Sequence, residues 1–432
     1  MTSTLPQPAT LALLHASDPG YDEARTVWNA MVDRRPAVVA KCHCTEDVAA
    51  AVRYARTNDL EIGVRCGGHN IAGLAVPDGG LMIDLTPMNE VRVDPDRQLA
   101  WVQGGALLGE LDRAAQKFGL ATTAGNVSHT GVGGLTLGGG MGWLARQFGL
   151  ACDNVASYQL VTADGEVVRA SATENPDLFW GLRGGGGNFG IVTEFEFRLH
   201  HVGTRALVAD FTYPVDEGFD VLRGWRELNA VAPRQATFTA SIKGDSLSVG
   251  FAWVGDPAET TELLQSFRDL GTVVAESIEE LSYLTLQSRD DSIQGHRYRR
   301  YWKGHYFKQL TDDAIRALLR NPGVGASLQA YGGAIADVPD TEAAFSHRDT
   351  LFEFVTATRW EDPADDAARI ATIRDYAASL DQYAGGAYLN TLNGETITRA
   401  FPPAKLARLT ELKTAYDPTN VFHLNQNIRP AS

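Results

Sequence analysis

Cysteine, net positive charge and long apolar runs are all scarce in this 432-residue sequence. The four cysteines, Cys42, Cys44, Cys66 and Cys152, are too scattered for a disulfide framework. Cys42-His43-Cys44 does not extend to the ligand set that tetrahedral zinc needs, so no metal site is expected. With 53 acidic against 38 basic residues and a net charge of −15, nucleic acid and anionic membrane surfaces are excluded as partners by repulsion. Leu11 to Leu14 is far too short for a signal core or a membrane span, and no basic stretch precedes it, so a cytoplasmic protein is expected. The length suffices for two domains or one large one with an ample core, and 44% hydrophobic with 21% charged residues is ordinary for a soluble enzyme.

Glycine is what the sequence has in quantity, in three concentrations. The first is Arg65-Cys66-Gly67-Gly68-His69-Asn70, after the β-type run at 61–64 and before a Gly, Pro and Asp-rich stretch that includes Gly73. Adjacent glycines let backbone approach a ligand and aim N–H groups at an anion. Arg65 adds positive charge, and His69 a neutral nitrogen nucleophile or proton carrier. The second runs from Gly125 to Gly142, GNVSHTGVGGLTLGGGMG, and suggests backbone passing close to something flat or anionic, with tight turns between short strands as the plainer account. The third, 183–190, satisfies G-x-G-x-x-G at Gly185, Gly187 and Gly190. The alternating Ile191 to Phe197 behind it reads as a strand where a Rossmann motif needs a helix, so the nicotinamide reading fails. No Walker glycine-lysine motif occurs in these runs.

Pattern and turn signals place the rest. An amphipathic helix is expected with Val27, Trp28, Met31 and Val32 on one face, then a strand at 36–40 and a helix capped by Thr45 with Val48, Ala51, Val52 and Ala55 as its buried stripe. A right-handed crossover would put the 65–70 loop at the carboxyl end of a parallel strand pair. Further strands are expected at 81–85, 91–93 and 99–103, a helix with Leu107, Leu108, Leu111, Ala114, Ala115 and Phe118 on its apolar face, and a hairpin turning at Asp164-Gly165. Beyond about Thr204, β-type runs at 207–211, 236–242, 247–253 and 330–335 alternate with helical stretches at 259–269 and 312–319. Residues 298–307 alternate so that Arg299, Tyr301, Lys303 and His305 share a strand face, within ten Lys, Arg and aromatic residues between Arg297 and Lys308. That face reads either as a basic, aromatic substrate wall suited to a polar or anionic molecule, or as a solvated surface.

The RCGGHN motif, GVGGLTLGGGMGWLARQFGLACDNV and GGGGNFGIVTEFEF resemble the berberine-bridge-enzyme-like FAD-linked oxidases, whose flavin domain is of the vanillyl-alcohol-oxidase type. The resemblance is densest from Pro36 to His200. It implies an α+β protein: a two-part FAD-binding domain over 1–203 (core 36–202), a substrate domain over 204–385 with an antiparallel sheet covered by helices, and a carboxy-terminal module over 386–432 returning to the FAD domain. It implies FAD held covalently by His69, with Arg65, Gly67, Gly68, Asn70, Gly73, Gly125, Thr130, Gly131, Gly134, Gly138, Gly142, Gly190, Val192, Asn425 and Asn427 around it. Some relatives have a second, cysteinyl link; Val127 occupies that place here, so a single link is implied. Of the family's Y-x-N-Y, this chain keeps Tyr388 but has Thr391 in place of the second tyrosine. AFSHR at 344–348 also resembles bacterial members, with no role evident for His347 or Arg348.

The implied reaction is hydride transfer from an alcohol, hemiacetal or cyclic amine carbon of a small molecule to FAD, with dioxygen reduced to hydrogen peroxide. Tyr388 is the first candidate for the base, which as a phenol needs nearby cations to ionise usefully, and His129 the second, unless His129 only bonds the loop. A small residue at Thr130 favours access of dioxygen. The alternatives are a dehydrogenase using another acceptor, and a flavin-binding cyclase or carrier without net redox turnover.

Overall fold

The computed structural model describes residues 11–291, 295–321 and 323–431; the first ten residues of the expected lead-in lie outside them. The glycine loop that carries His69 leaves the strand Ile62–Arg65. In its sheet Leu81–Asp84 runs parallel to Ile62–Arg65 on one side and to Val38–Lys41 on the other, with Ala12–His15 antiparallel at the edge. Val38–Lys41 and Ile62–Arg65 are therefore parallel as expected, but separated by a strand that comes later in the chain. The crossover helix Thr45–Thr57 buries Val48, Ala51, Val52 and Ala55 completely. Its N-cap is Cys44, not Thr45; the Thr45 hydroxyl donates instead to Gln159 Oε1, and Asp47 accepts from the N–H of His43.

A second, five-stranded antiparallel sheet has the order Val91–Asp94, Leu99–Gln103, Ile191–Arg198, Val155–Val161, Val167–Ser171. The strand after the third glycine concentration is thus real, and Asp164-Gly165 turns the expected hairpin. The helix Leu108–Ala115 covers the sheet, but Phe118 falls in a following 3₁₀ turn and is 47% exposed, outside the apolar face assigned to it.

The third sheet has seven antiparallel strands, in the order Ala275–Ser282, Arg205–Pro214, Ser246–Val254, Ala236–Lys243, Gly325–Ala330, Phe352–Trp360, Arg299–Phe307. The helices Gly218–Val231, Asp312–Leu318 and Asp366–Leu380 contribute side chains buried against it. The strand expected at 330–335 ends at Ala330, because Gly332 and Gly333 take positive φ and turn the chain into the short helix Ala334–Asp337. The α+β class holds.

Residues 27–32 form no helix. The Asn29 side chain donates to the carbonyls of Ile71 and Arg300, and the N–H of Ala30 bonds Tyr298 O, so this segment is stretched between the glycine loop and the third sheet. Tertiary hydrogen bonds override the apolar periodicity. From the sequence, Asp417-Pro418 should break a helix over 406–416; the last helix, Pro403–Tyr416, does stop at Asp417, and the fully buried Lys413 gathers the carbonyls of Asn188 and Phe422 with the Asp417 carboxylate.

Arg348, without a role in the sequence, forks onto both carboxylate oxygens of Asp153 at 2.7 and 3.0 Å, with both side chains buried. His347, at φ 62°, bonds the carbonyl of Arg399 through Nε2 at 3.0 Å. Replacing Arg348 by Met should strand the Asp153 charge and cost about 3–5 kcal/mol, lowering the urea midpoint; the double variant with Asp153→Leu should recover much of it.

Candidate functional site

A cavity of about 510 Å³ lies where the first glycine loop, residues 125–137, residues 186–192, the third sheet and the carboxy-terminal segment meet. Its floor is backbone. A Cβ on Gly67 would collide with the backbone of Gly131, so these two segments touch only because both lack side chains. Gly134 and Gly187 also line the cavity, yet nothing lies within 4 Å of where their Cβ atoms would be. Their open faces look into the cavity. The N–H groups of Gly68, His69 and Asn70 have no acceptor among the described residues. Such a surface fits a flat group carrying anionic oxygens.

His69 stands in this wall. Its ring stacks on Trp28 with centroids 4.6 Å apart and planes at 12°, Nε2 lies 2.7 Å from His129 Nδ1, and Nδ1 lies 3.4 Å from the Thr130 hydroxyl. Burial, helped by the neighbouring His129 and Arg300, pushes its pKa down to about 3. The imidazole is neutral throughout the ordinary pH range, with a nitrogen lone pair available for bonding.

Of the residues expected around the cofactor, Gly67, Gly68, His69, Asn70, Gly125, Thr130, Gly131, Gly134, Gly190, Val192 and Asn425 line the cavity, as does Val127. Arg65, Gly73, Gly138, Gly142 and Asn427 do not. Arg65 turns back to donate to the carbonyl of Ala24 at 2.5 Å, with Asp84 at 3.9 Å, so it braces the strand end. Gly73 is packed on Val32, Gly138 on the Asn390 side chain and Gly142 on the carbonyl of Ala124, which are constraints of close packing.

The two expected catalytic residues lie in different settings. His129 is outside the cavity lining and faces His69, so it is placed to fix that ring. Tyr388 does line the cavity, but its oxygen accepts from the N–H of Gly140 at 2.8 Å and from Asn390 Nδ2 at 3.0 Å. Burial raises its pKa far above the usual phenol range, with no cation to oppose it. Burial therefore favours the protonated phenol, while the Gly140 and Asn390 hydrogen bonds act the other way.

The presumed substrate wall points the wrong way. Tyr301 packs among Trp360 and Ile373 and accepts from Arg374, Lys303 pairs with Glu395, and His305 bonds Ala377 O at 2.8 Å and Arg399 at 2.8 Å. This face carries the helix Asp366–Leu380. The opposite face of the same strand supplies Trp302 to the cavity, and the neighbouring strands supply Gln329 and Glu353. Alternation was legible, but the choice of face was not, since both faces of this strand are covered.

Glu353 was missed for the same reason: between Phe352 and Phe354 it reads as the solvated side of a strand. It is buried, its Oε2 accepts from the Tyr331 hydroxyl at 2.7 Å, and Oε1 has no partner among the described residues. Burial lifts its pKa to about 7, against the lowering effect of Tyr331. Among the described residues it is the carboxylate of the cavity lining, and no lysine or arginine shares that lining. The site can therefore accept a proton near neutral pH and repel an anion.

Comparison with known proteins agrees with this arrangement. A family described as FAD binding domain matches residues 36–171, and one described as Berberine and berberine like matches residues 387–429. The (R)-6-hydroxynicotine oxidase of Paenarthrobacter nicotinovorans is 31% identical over 100% of this chain and 99% of its own. The crystal structure of 6-hydroxy-D-nicotine oxidase from Arthrobacter nicotinovorans superposes with a TM-score of 0.89 at 28% identity, over 99% of both chains. Glucooligosaccharide oxidase from Acremonium strictum, whose FAD is 6-S-cysteinyl and 8α-N1-histidyl, superposes with a TM-score of 0.88 at 26% identity over 98% of both chains. The glycine-walled cavity and full-length likeness lead to one conclusion: the chain belongs to the berberine-bridge-enzyme-like FAD-linked oxidoreductases, on the vanillyl-alcohol-oxidase-type fold.

Proposed function

We propose that the chain is an oxidase with FAD tethered to His69, acting on a hydroxyl- or amine-bearing carbon of a small neutral or cationic molecule, with dioxygen reduced to hydrogen peroxide. The observation that carries this reading is that a neutral imidazole and a buried carboxyl with a pKa near 7 share one glycine-walled cavity. When bound, the flavin supplies hydride acceptance and the return of electrons to dioxygen.

The chain's own residues do the rest. Gly67, Gly131, Gly134 and Gly187 give backbone walls against which a flat ring can lie, and Trp28 fixes the plane of His69. Glu353 Oε1 is free to take the proton of a substrate hydroxyl or to pair with an ammonium. Trp302 and Leu135 keep the lining apolar, which strengthens any such contact. With Val127 at the place of the second link, one covalent bond is expected. The likeness to (R)-6-hydroxynicotine oxidase and to glucooligosaccharide oxidase supports screening organic bases and sugar hydroxyls in parallel.

Acid precipitation tests the tether: yellow colour should stay with the wild-type pellet and leave, or be missing, in His69→Ala. A peroxide-coupled screen should find turnover on neutral or cationic compounds and none on carboxylates of similar size. Peroxide-free turnover with an artificial acceptor would instead point to a dehydrogenase. Glu353→Gln should lower kcat/KM for the best alcohol substrate by roughly 10²- to 10⁴-fold without loss of bound flavin. Gly134→Val should fold like flavin-free wild type by circular dichroism but bind little FAD, because its new side chain meets only the cavity.

A further inference from the structure

We propose that Tyr331 is a positioning residue: it holds the Glu353 carboxylate by one oxygen, leaves the other facing the cavity, and thereby fixes the pH range in which the site can take a proton. The inference rests on the reading of Glu353 as the proton acceptor and adds a residue outside the cavity lining that controls it.

Tyr331 is well placed for this. It follows the strand Gly325–Ala330, its N–H bonds Leu351 O at 2.8 Å, and its carbonyl accepts from the buried Arg146 guanidinium. Gly332 and Gly333 then turn the chain away at positive φ. The phenol is fully buried and its pKa is raised well above the usual range, so it acts only as a donor. Its hydroxyl lies 2.7 Å from Glu353 Oε2, and behind it the Tyr306 oxygen stands at 3.4 Å. An ionised carboxylate can only accept, which sets the direction: Tyr306 donates to Tyr331, and Tyr331 to Glu353.

The titratable groups facing Glu353 are Tyr331, Tyr306 on the strand Arg299–Phe307, and Tyr388 from the carboxy-terminal segment. All three are neutral, and Gln329 opposite it in the ladder is uncharged. Burial favours the protonated carboxyl, and the Tyr331 hydrogen bond is what opposes it. Without that bond the charged form loses its donor and the neutral form persists to higher pH. Because the working form of Glu353 is ionised, activity would be lost on the acid side first and regained as pH rises.

The test is an infrared titration of the flavin-loaded protein, following the C=O stretch of a protonated carboxyl between about pH 5 and pH 9, with Glu353→Gln as the blank. Wild type should titrate near pH 7 and Tyr331→Phe about one unit higher, equivalent to a roughly tenfold smaller ratio of ionised to protonated carboxyl at pH 7. Tyr306→Phe, one bond further away, should stay within a few tenths of a unit of wild type. An unchanged midpoint in Tyr331→Phe would overturn the proposal. If wild type has no Glu353-dependent titration, the proton-acceptor reading itself fails, a distinct result. Should Tyr331→Phe not fold, a fluorotyrosine at 331 keeps the shape and strengthens the donor; the midpoint should then fall, and a constant midpoint overturns the proposal equally.

Discussion

Two backbones meet at Gly67 and Gly131 with no side chain between them, and the rest of the site depends on that contact. It fixes where the loop after the strand Ile62–Arg65 crosses the start of the helix Val132–Leu137, and so where His69 stands relative to Thr130 and His129. A methyl group at either glycine would push the segments apart and open the wall. Close approach of this kind has no substitute among the other amino acids, since even alanine adds the atom that collides. The stacked Trp28 and the unhelical stretch around it then hold the loop from outside.

What the sequence made legible follows from how local the cause is. Strands with strict alternation, the hairpin at Asp164-Gly165, the helix ending at Asp417 and the glycine wall are set by neighbours a few residues away. They could be read from the chain. The roles of Arg65, Tyr301, Lys303 and His305 were misassigned because a strand's period of two says which residues share a face and not which face meets the ligand. Here the charged face was closed over by the helix Asp366–Leu380, and the cavity received the other, with Trp302. Trp28 was read as helix because its spacing with Met31 and Val32 is helical, while the bonds that decide its conformation come from Ile71, Tyr298 and Arg300.

The electrostatics of the site reverse the expectation drawn from the basic run at 297–308. Four of its five cations, Arg299, Lys303, Arg297 and Lys308, pair with Asp366, Glu395, Glu361 and Asp349, and the fifth, Arg300, lies over the Trp28 ring and donates to backbone carbonyls. The lining keeps one carboxylate and two neutral histidine- and phenol-type groups, His69 and Tyr388. A single acid in a largely apolar chamber disfavours a second negative charge, which would have no counter-ion in that lining.

The carboxy-terminal segment contributes Phe422, Leu424, Asn425 and Gln426 to the same chamber whose first wall is laid down at residues 62–75. About 350 residues must therefore leave the ribosome between the first wall and the last. A nascent polypeptide can fold its first sheet early, but it cannot hold FAD in the finished setting until residues 422–426 have emerged. Cofactor loading and synthesis of that segment are thereby coupled in time, and a chain truncated shortly before Asp417 would lose the chamber while retaining most of its sheets.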